Sequence, residues 1–302
     1  MNNPAHEPHR CGYVAIAGAP NVGKSTLLNA LMGMKLSIIT SKPQTTRRNV
    51  LGILTTDDYQ AILIDTPGLL NPAYLLQSAM RRQAISAIRG ADVLLLMEDA
   101  GRAVEQGSGA QMQKAVASAG EDTPIVLALN KVDRVAKEHL LPLIEKCHQT
   151  WNLAAIVPIS ALHDDGLEPL FDEVTRCLPE GPALYPREMV TEQPERFFVA
   201  ELVREVVFNR FSQEIPYATA TRVEEFRRGG EKTYILVNIY VERVSQRPIL
   251  LGKGGRAIKE VGRQAREAIE EFLDEPVYLD LWVKVHEDWR NRDIQLRDLD
   301  LM

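Results

Sequence analysis

The chain has 302 residues, 45% of them hydrophobic and 25% charged, which is enough length for two domains with separate cores and the balance of an ordinary globular protein. A formal charge of −6 excludes a wholesale basic coat for nucleic acid, although one basic face on an acidic body remains compatible with it, because affinity follows local potential. No run of about 18 apolar residues occurs, and the start of the chain is polar with Pro4 and Pro8, so neither a membrane span nor a signal peptide is expected and the protein reads as cytosolic.

Taking the chain in order, residues 1–11 read as an N-terminal tail, in which His6, His9 and Cys11 lack a fourth ligand for zinc. Tyr13 to Ala17 is a short apolar strand, and Leu27, Leu28, Ala30 and Leu31 carry helical spacing. Between them stands Gly18-Ala19-Pro20-Asn21-Val22-Gly23-Lys24-Ser25-Thr26, which fits G-x-x-x-x-G-K-[ST] in strand–loop–helix context. A glycine-rich turn alone is usually only a turn. The full motif in this context is a phosphate loop: Gly18 and Gly23 keep side chains away from the phosphates, the new helix offers unpaired N–H groups, Lys24 reaches the outer phosphates, and Ser25 gives a hydroxyl to Mg2+.

Residues 35–50 form a polar, Thr-rich segment, by itself a surface loop. After a phosphate loop, a threonine here completes Mg2+ coordination when the γ-phosphate is present; Thr46 is the first choice and Thr45 the second. Val50 to Leu54 and Ala61 to Ile64 read as strands joined by a turn at Asp57 and Asp58. At the end of the second strand, Asp65-Thr66-Pro67-Gly68 offers a carboxylate for a metal-bound water and the Gly68 N–H for the γ-phosphate. Leu69 and Leu70 follow where some GTPases place a water-orienting glutamine, so slow intrinsic hydrolysis is expected.

Ala84 to Ile88 belongs to a helix, Val93 to Met97 to a buried strand, Gln111 to Ala119 to a helix and Ile125 to Leu129 to the next strand. Asn130-Lys131-Val132-Asp133 ends that strand. Asp133 can accept both the ring N–H and the exocyclic amine of guanine, a pair that adenine does not offer. Ile156 to Ile159 makes one more strand, ended by Ser160-Ala161-Leu162, whose backbone can meet the base edge. Alternating strands and helices predict an α/β, mostly parallel sheet covered on both faces, with ligand loops at the carboxyl ends of the strands. Leu167 to Leu178 closes this domain, assigned to residues 12–178, and tolerates Pro169 in its first turn. Pro179-Glu180-Gly181-Pro182 through Pro186 breaks both helix and strand, and residues 179–190 are assigned as a short, stiff linker.

The second domain, residues 191–302, is expected to be a smaller α+β unit. Phe197 to Phe211 reads as a helix, and Tyr217 to Val223 and Tyr234 to Val241 as strands around a turn at Arg228 to Glu231. Gly252-Lys253-Gly254-Gly255 then opens a helix with an apolar stripe, Ile258, Val261, Ala265, Ala268 and Phe272, and a basic face, Arg256, Lys259, Arg263 and Arg266. A charged face is usually only solvation. Beginning at a G-x-x-G loop, this one favours contact with single-stranded nucleic acid, with Arg263 and Arg266 either tracking flanking RNA or serving solubility. Val277 to Val285 is a final strand carrying Trp282, and His286-Glu287-Asp288-Trp289-Arg290 looks exposed after it. Cys11, Cys147 and Cys177 are far apart, which suits reduced thiols better than bridges.

These segments resemble the Era GTPases, a P-loop GTPase domain followed by a type II KH domain, over nearly the whole chain from about Gly12 to Leu299. The resemblance rests on P-N-V-G-K-S-T-L-L-N at 20–29, Q-T-T-R at 44–47, D-T-P-G at 65–68, N-K-V-D at 130–133, S-A-L at 160–162, E-I-P-Y at 214–217, G-K-G-G at 252–255 and K-V-H-E-D-W-R at 284–290. It implies a GTP-hydrolysing assembly factor for the small ribosomal subunit, binding the 3′ region of 16S ribosomal RNA, a cytoplasmic monomer with peripheral association to the inner membrane. It also implies that Asn21 helps hold K+ at the phosphates, compensating in part for Leu69. Two departures, Ala19 and the lack of a tryptophan in residues 98–109, bear on partners rather than on GTP. The competing reading is a signalling GTPase whose C-terminal domain binds protein; a P-loop metabolite kinase is disfavoured because it leaves Asn130 to Asp133 without a role.

Overall fold

The apolar run ahead of the phosphate loop becomes β1 (Arg10–Gly18) in this computed structural model, which describes residues 9–107 and 109–302. The strand begins inside the expected tail, of which residues 1–8, His6 among them, lie outside the described residues. There follow α1 (Lys24–Met32), β2 (Val50–Thr55), β3 (Tyr59–Asp65), α2 (Leu75–Arg89), β4 (Val93–Asp99), α3 (Ala100–Gln106), α4 (Ala110–Val116), β5 (Ile125–Asn130), α5 (Lys137–Thr150), β6 (Ala155–Pro158) and α6 (Leu167–Cys177). Among the described residues, six strands pair in the order β2-β3-β1-β4-β5-β6, parallel throughout except for β2 against β3. β4 and β5 are almost wholly apolar because helices cover both faces of the sheet. Ala17, Leu94, Leu96, Leu127 and Leu129 pack with Ile88 and Leu143 in one continuous core. The phosphate loop, residues 65–68, residues 130–133 and residues 160–162 all follow the carboxyl ends of strands of this sheet, where open parallel sheets bind ligands, while the Thr46 segment joins α1 to β2.

The helices α3 and α5 were not foreseen. In α5, Pro142 sits in the interior, where its missing N–H interrupts the ladder, and such a residue argues against a helix when read locally.

The chain divides into two units, the first made of residues up to 37, 46–71 and 80–192, the second of residues 38–45, 72–79 and 193–302. The stretch read as a linker is hydrogen-bonded along the first unit as far as Thr191. Cys11 N donates to Pro179 O at 2.9 Å and Ile53 N to Val190 O at 2.8 Å, while the fully buried Gln60 side chain accepts from the N–H groups of Leu184 (2.8 Å) and Tyr185 (2.9 Å). Prolines that forbid regular structure thus suit a strap whose polar groups are met by Gln60 and β2.

In the second unit come α7 (Glu195–Arg210), α8 (Ile215–Ala218), β7 (Ala220–Arg227), β8 (Thr233–Val241), α9 (Arg247–Leu251), α10 (Arg256–Leu273), β9 (Val277–Val285) and α11 (Asp293–Asp298). The sheet order is β7-β8-β9, antiparallel then parallel, with α7 and α10 on one face, where Val203 and Val207 of α7 and Val261 and Ala265 of α10 share a core with Val237, Ile239 and Val283 of the sheet. The strand expected from Tyr217 begins at Ala220, because Pro216, in the first turn, starts the short helix α8 instead. Trp289, read as exposed, is fully buried and donates its indole N–H to Ala218 O at 2.9 Å. Within this unit Ile39 N donates to Glu205 Oε1 at 3.0 Å, and the buried Arg204 donates to Thr45 O at 2.7 Å and pairs with Glu201.

Candidate functional site

The phosphate loop turns where its glycines allow it. Gly23 has φ 107°, and a Cβ there would lie 2.3 Å from Asn130 Nδ2. Lys24, 6% exposed, donates to Ala19 O at 3.0 Å. Burial pushes its ammonium down to about 8, against the attraction of Asp65.

Asp65 closes β3 with no exposed surface. Its Oδ2 accepts from Ser25 Oγ at 2.7 Å, Ser37 Oγ at 2.9 Å and Thr46 Oγ1 at 3.4 Å. Its Oδ1 is buried with no hydrogen-bond partner. Burial pushes the carboxyl up, while Lys24 and the three hydroxyls oppose the shift. The convergence of Ser25 and Thr46, whose hydroxyls are 2.9 Å apart, beside a carboxylate oxygen that lacks a partner is a donor set suited to a hydrated hard cation. Of the two threonines weighed from sequence, Thr46 is the one in this cluster. Thr45 Oγ1 bonds Thr40 Oγ1 at 2.7 Å and Lys42 O at 2.9 Å.

Thr66, Pro67 and Gly68 carry the chain back under the phosphate loop. Thr66 Oγ1 donates to Ile16 O at 2.9 Å, and a Cβ on Gly68 would stand 2.9 Å from Pro20 Cα, so the close approach itself requires glycine. Leu69 is 3% exposed and belongs to the core, so its side chain is not placed to orient water.

The base-recognition loops are tied to the phosphate loop by Asn130, 3% exposed: Nδ2 donates to Val22 O at 2.7 Å and Oδ1 accepts from Ala161 N at 2.9 Å. Lys131, in the left-handed region at φ 64°, donates to Asn21 O and Asp99 Oδ2, both at 2.7 Å. Burial pushes the Asp99 carboxyl up, but Lys131 and the N–H groups of Gly101 and Arg102 outweigh it and hold it below the usual range. Asp133 accepts from Ser160 Oγ at 2.6 Å, which holds its carboxyl low and charged. Leu162 is 65% exposed at the rim. Sequence reading missed Asp99, Ser37 and Asn29. The position of Asp99 at the carboxyl end of β4 is the signal that could have found it.

In the second unit Gly252, Gly254 and Gly255 take φ of 70°, 63° and 75°. A Cβ on Gly252 would meet the Ala257 Cβ at 2.6 Å, whereas nothing lies within 4 Å of one on Gly254 or Gly255. The loop therefore presents bare backbone to open space at the start of α10. Farther along α10, Ile258, Lys259, Arg263 and Arg266 line a cleft of about 420 Å³ together with Lys232 and with Tyr278, Leu279 and Leu281 of β9. Of the predicted basic residues, Arg263 is tied up, pairing with Glu260 at 2.6 Å and Glu267 at 2.8 Å, so its charge is already answered on its own helix.

Comparison with known proteins agrees with both units. The family described as a 50S ribosome-binding GTPase matches residues 13–131, and the KH domain family matches residues 214–290. The chain is 42% identical over 289 residues to GTPase Era of Nitratidesulfovibrio vulgaris, covering 93% of each chain. It is also 42% identical over 300 residues to GTPase Era of Desulfovibrio desulfuricans, covering 97% of this chain and 98% of that one. Two solved Era structures superpose with TM-score 0.92 at 38% identity, covering 97% of this chain and 99% of theirs. One is an Aquifex aeolicus Era variant bound to GDP and AlF4−, the other an Era complex with MgGDPNP and nucleotides 1506–1542 of 16S ribosomal RNA. Fold and site together define a P-loop GTPase domain followed by a KH domain. The chain belongs to the Era GTPase family. It is a GTPase, using GTP and GDP as substrate and product with Mg2+.

Proposed function

We propose that the protein couples GTP hydrolysis to assembly of the small ribosomal subunit by holding the 3′ region of 16S ribosomal RNA on its KH domain. The observation that carries this reading is the bare backbone of Gly254 and Gly255 at the start of α10, in a chain 38% identical to an Era bound to that RNA. Gly252 to Gly255 admits the RNA backbone, Lys253, Arg256 and Lys259 neutralise phosphate, and Arg263 adds little while it is paired with two glutamates.

At the nucleotide, the N–H groups of residues 18–26 surround the phosphates and Lys24 regains its full charge against them. Ser25 and Thr46, with the Asp65 carboxylate beside them, would hold magnesium, which would neutralise charge on the outer phosphates. Gly68 N–H meets the γ-phosphate. Asn130, Lys131 and Asp133, with Ser160, Ala161 and Leu162, select and hold guanine. Among the described residues no side chain is placed as a general base, and Leu69 is in the core, so turnover by the isolated protein is slow. Asn21, at φ 64° on the rim of the loop, helps hold K+ there. The protein acts as a monomer in the cytoplasm, with peripheral association to the inner membrane; among the described residues no helix is long and apolar enough to cross one.

The test is cross-linking of GTP-loaded and GDP-loaded protein to cellular RNA, followed by sequencing of the bound fragments. Enrichment of the 3′ end of small-subunit ribosomal RNA that changes with nucleotide is expected. Recovery of no RNA above background, or of fragments with no common origin, contradicts the proposal and favours a protein partner for the second unit.

A further inference from the structure

Ser25 and Thr46 explain two of the three hydroxyls on Asp65 Oδ2; the third, from Ser37, has no role in the reading above. Ser37 is 4% exposed and is held with little freedom. The carboxamide of Asn29, on α1, accepts from Leu36 N at 2.9 Å and Ser37 N at 2.8 Å through Oδ1, and donates to Ser37 O at 2.7 Å through Nδ2. Asn29 thus clamps the backbone of Ser37 from both sides, and the Ser37 hydroxyl then donates to Asp65 at 2.9 Å. The result is a closed circuit: the helix that begins with Lys24 and Ser25 carries Asn29, Asn29 fixes Ser37, Ser37 fixes Asp65, and Asp65 returns to Ser25 at 2.7 Å.

The two carboxylate oxygens are made unequal by this arrangement. Oδ2 is filled with donors and Oδ1 is left buried with none, so the rotation of the carboxylate is set by where its donors stand. Ser25 and Thr46 are the residues assigned to magnesium, and their hydroxyl oxygens would turn to it. Ser37 is the donor of the three with no such second duty, and its position is set by Asn29. We propose that Ser37, clamped by Asn29, is a positioning residue that fixes the Asp65 carboxylate beside Ser25 and Thr46, the two residues assigned to magnesium. The inference rests on the assignment of Ser25 and Thr46 to magnesium made above, and it assigns no contact with nucleotide to Ser37 or Asn29.

The experiment follows release of a fluorescent GDP from the full chain across a titration of free Mg2+ and, separately, in excess EDTA. Outer-shell hydrogen-bond partners of metal sites are typically worth about 10- to 100-fold in metal affinity. Ser37→Ala is therefore expected to raise the half-saturating Mg2+ concentration by roughly that factor and to leave the EDTA release rate and the melting temperature in EDTA near those of the parent. Asn29→Ala should move the same parameter, the double variant should add little to either single change because the two act in series, and Ser37→Thr, which keeps a hydroxyl, should recover part of the loss. Parent-like Mg2+ dependence in Ser37→Ala overturns the inference. So does an equal loss with and without Mg2+, which marks a merely structural role. Ser25→Ala, measured alongside, separates the two levels. If it too keeps the parent's Mg2+ dependence, the magnesium assignment has failed; if it loses that dependence while Ser37→Ala does not, only the role of Ser37 has failed.

Discussion

Asn130→Ala removes the side chain that joins the phosphate loop to both base-recognition loops, and its cost can be worked from the contacts. The substitution deletes the 2.7 Å bond to Val22 O and the 2.9 Å bond from Ala161 N, in a site where Asn130 is 3% exposed. Each abandoned partner, if it stays dry, costs about 1–3 kcal/mol. Water reaching the gap through the open nucleotide site lowers this toward about 2 kcal/mol for the pair. Since the bonds hold two loops in the geometry that nucleotide requires, the loss should appear chiefly as weaker binding, roughly 30-fold at 2 kcal/mol, with faster GDP release and a smaller fall in melting temperature of the free protein. GDP and xanthosine diphosphate should weaken by similar factors, because Asn130 holds the loops while Asp133 discriminates the base. Stopped-flow release of fluorescent GDP, with calorimetry for equilibrium affinity, measures both effects. Affinity within about twofold of the parent would refute the reasoning, since about 0.4 kcal/mol is less than one buried hydrogen bond contributes.

Three further outcomes are expected. Asp133→Asn should weaken GTP and relatively favour xanthine nucleotide, whose carbonyl replaces the guanine amine; equal binding of ATP and GTP by the parent would contradict the assignment. Lys24 in the free protein is held down to about 8, so near pH 8.5 it is mostly neutral, and the phosphates must restore its proton. Nucleotide binding should then take up protons, more at pH 8.5 than at pH 7, as read by calorimetry in buffers of differing ionisation enthalpy. The same group binds more protons unfolded than folded between about pH 8 and 10.5, so its contribution to the stability of the free protein rises with pH across that window. GTP hydrolysis measured at matched ionic strength should be slow in Na+ and faster in K+, and a fast, cation-indifferent rate would mean that the catalytic element lies elsewhere.

What was legible in the sequence was local. The strand, nine-residue loop and helix around Lys24 are contiguous, and Gly23 announces its own backbone requirement. The stripe of Ile258, Val261 and Ala265 needs only helical spacing, and β9 only its apolar run. What was not legible depended on distant partners. Trp289 sits in a charged stretch and is buried because Ala218, 71 residues away, offers its carbonyl. Pro142 argues locally against α5, and the packing of Leu143 and Cys147 into the first core overrides it. Arg263 counts as basic by spacing, whereas Glu260 and Glu267 one turn away absorb its charge. Asp99 and Ser37 are ordinary residues in the sequence, and only the closing of the sheet brings them to Lys131 and Asp65.

The measurement that bears most directly on the central claim is a titration of labelled RNA, ending in the 3′ sequence of small-subunit ribosomal RNA, against the parent and a Lys253→Asp, Gly254→Asp double variant. Gly254 stands at φ 63° with open space before it, so aspartate there places a charge where the RNA backbone must come, while the apolar stripe under α10 stays intact. The parent should bind with an affinity that falls with salt by about 0.7 log per neutralised phosphate per log of salt. The double variant, shown to be folded by circular dichroism, should lose RNA binding and keep GTP binding. Parent-like RNA affinity in the folded variant would contradict the claim and leave the second unit to a protein partner.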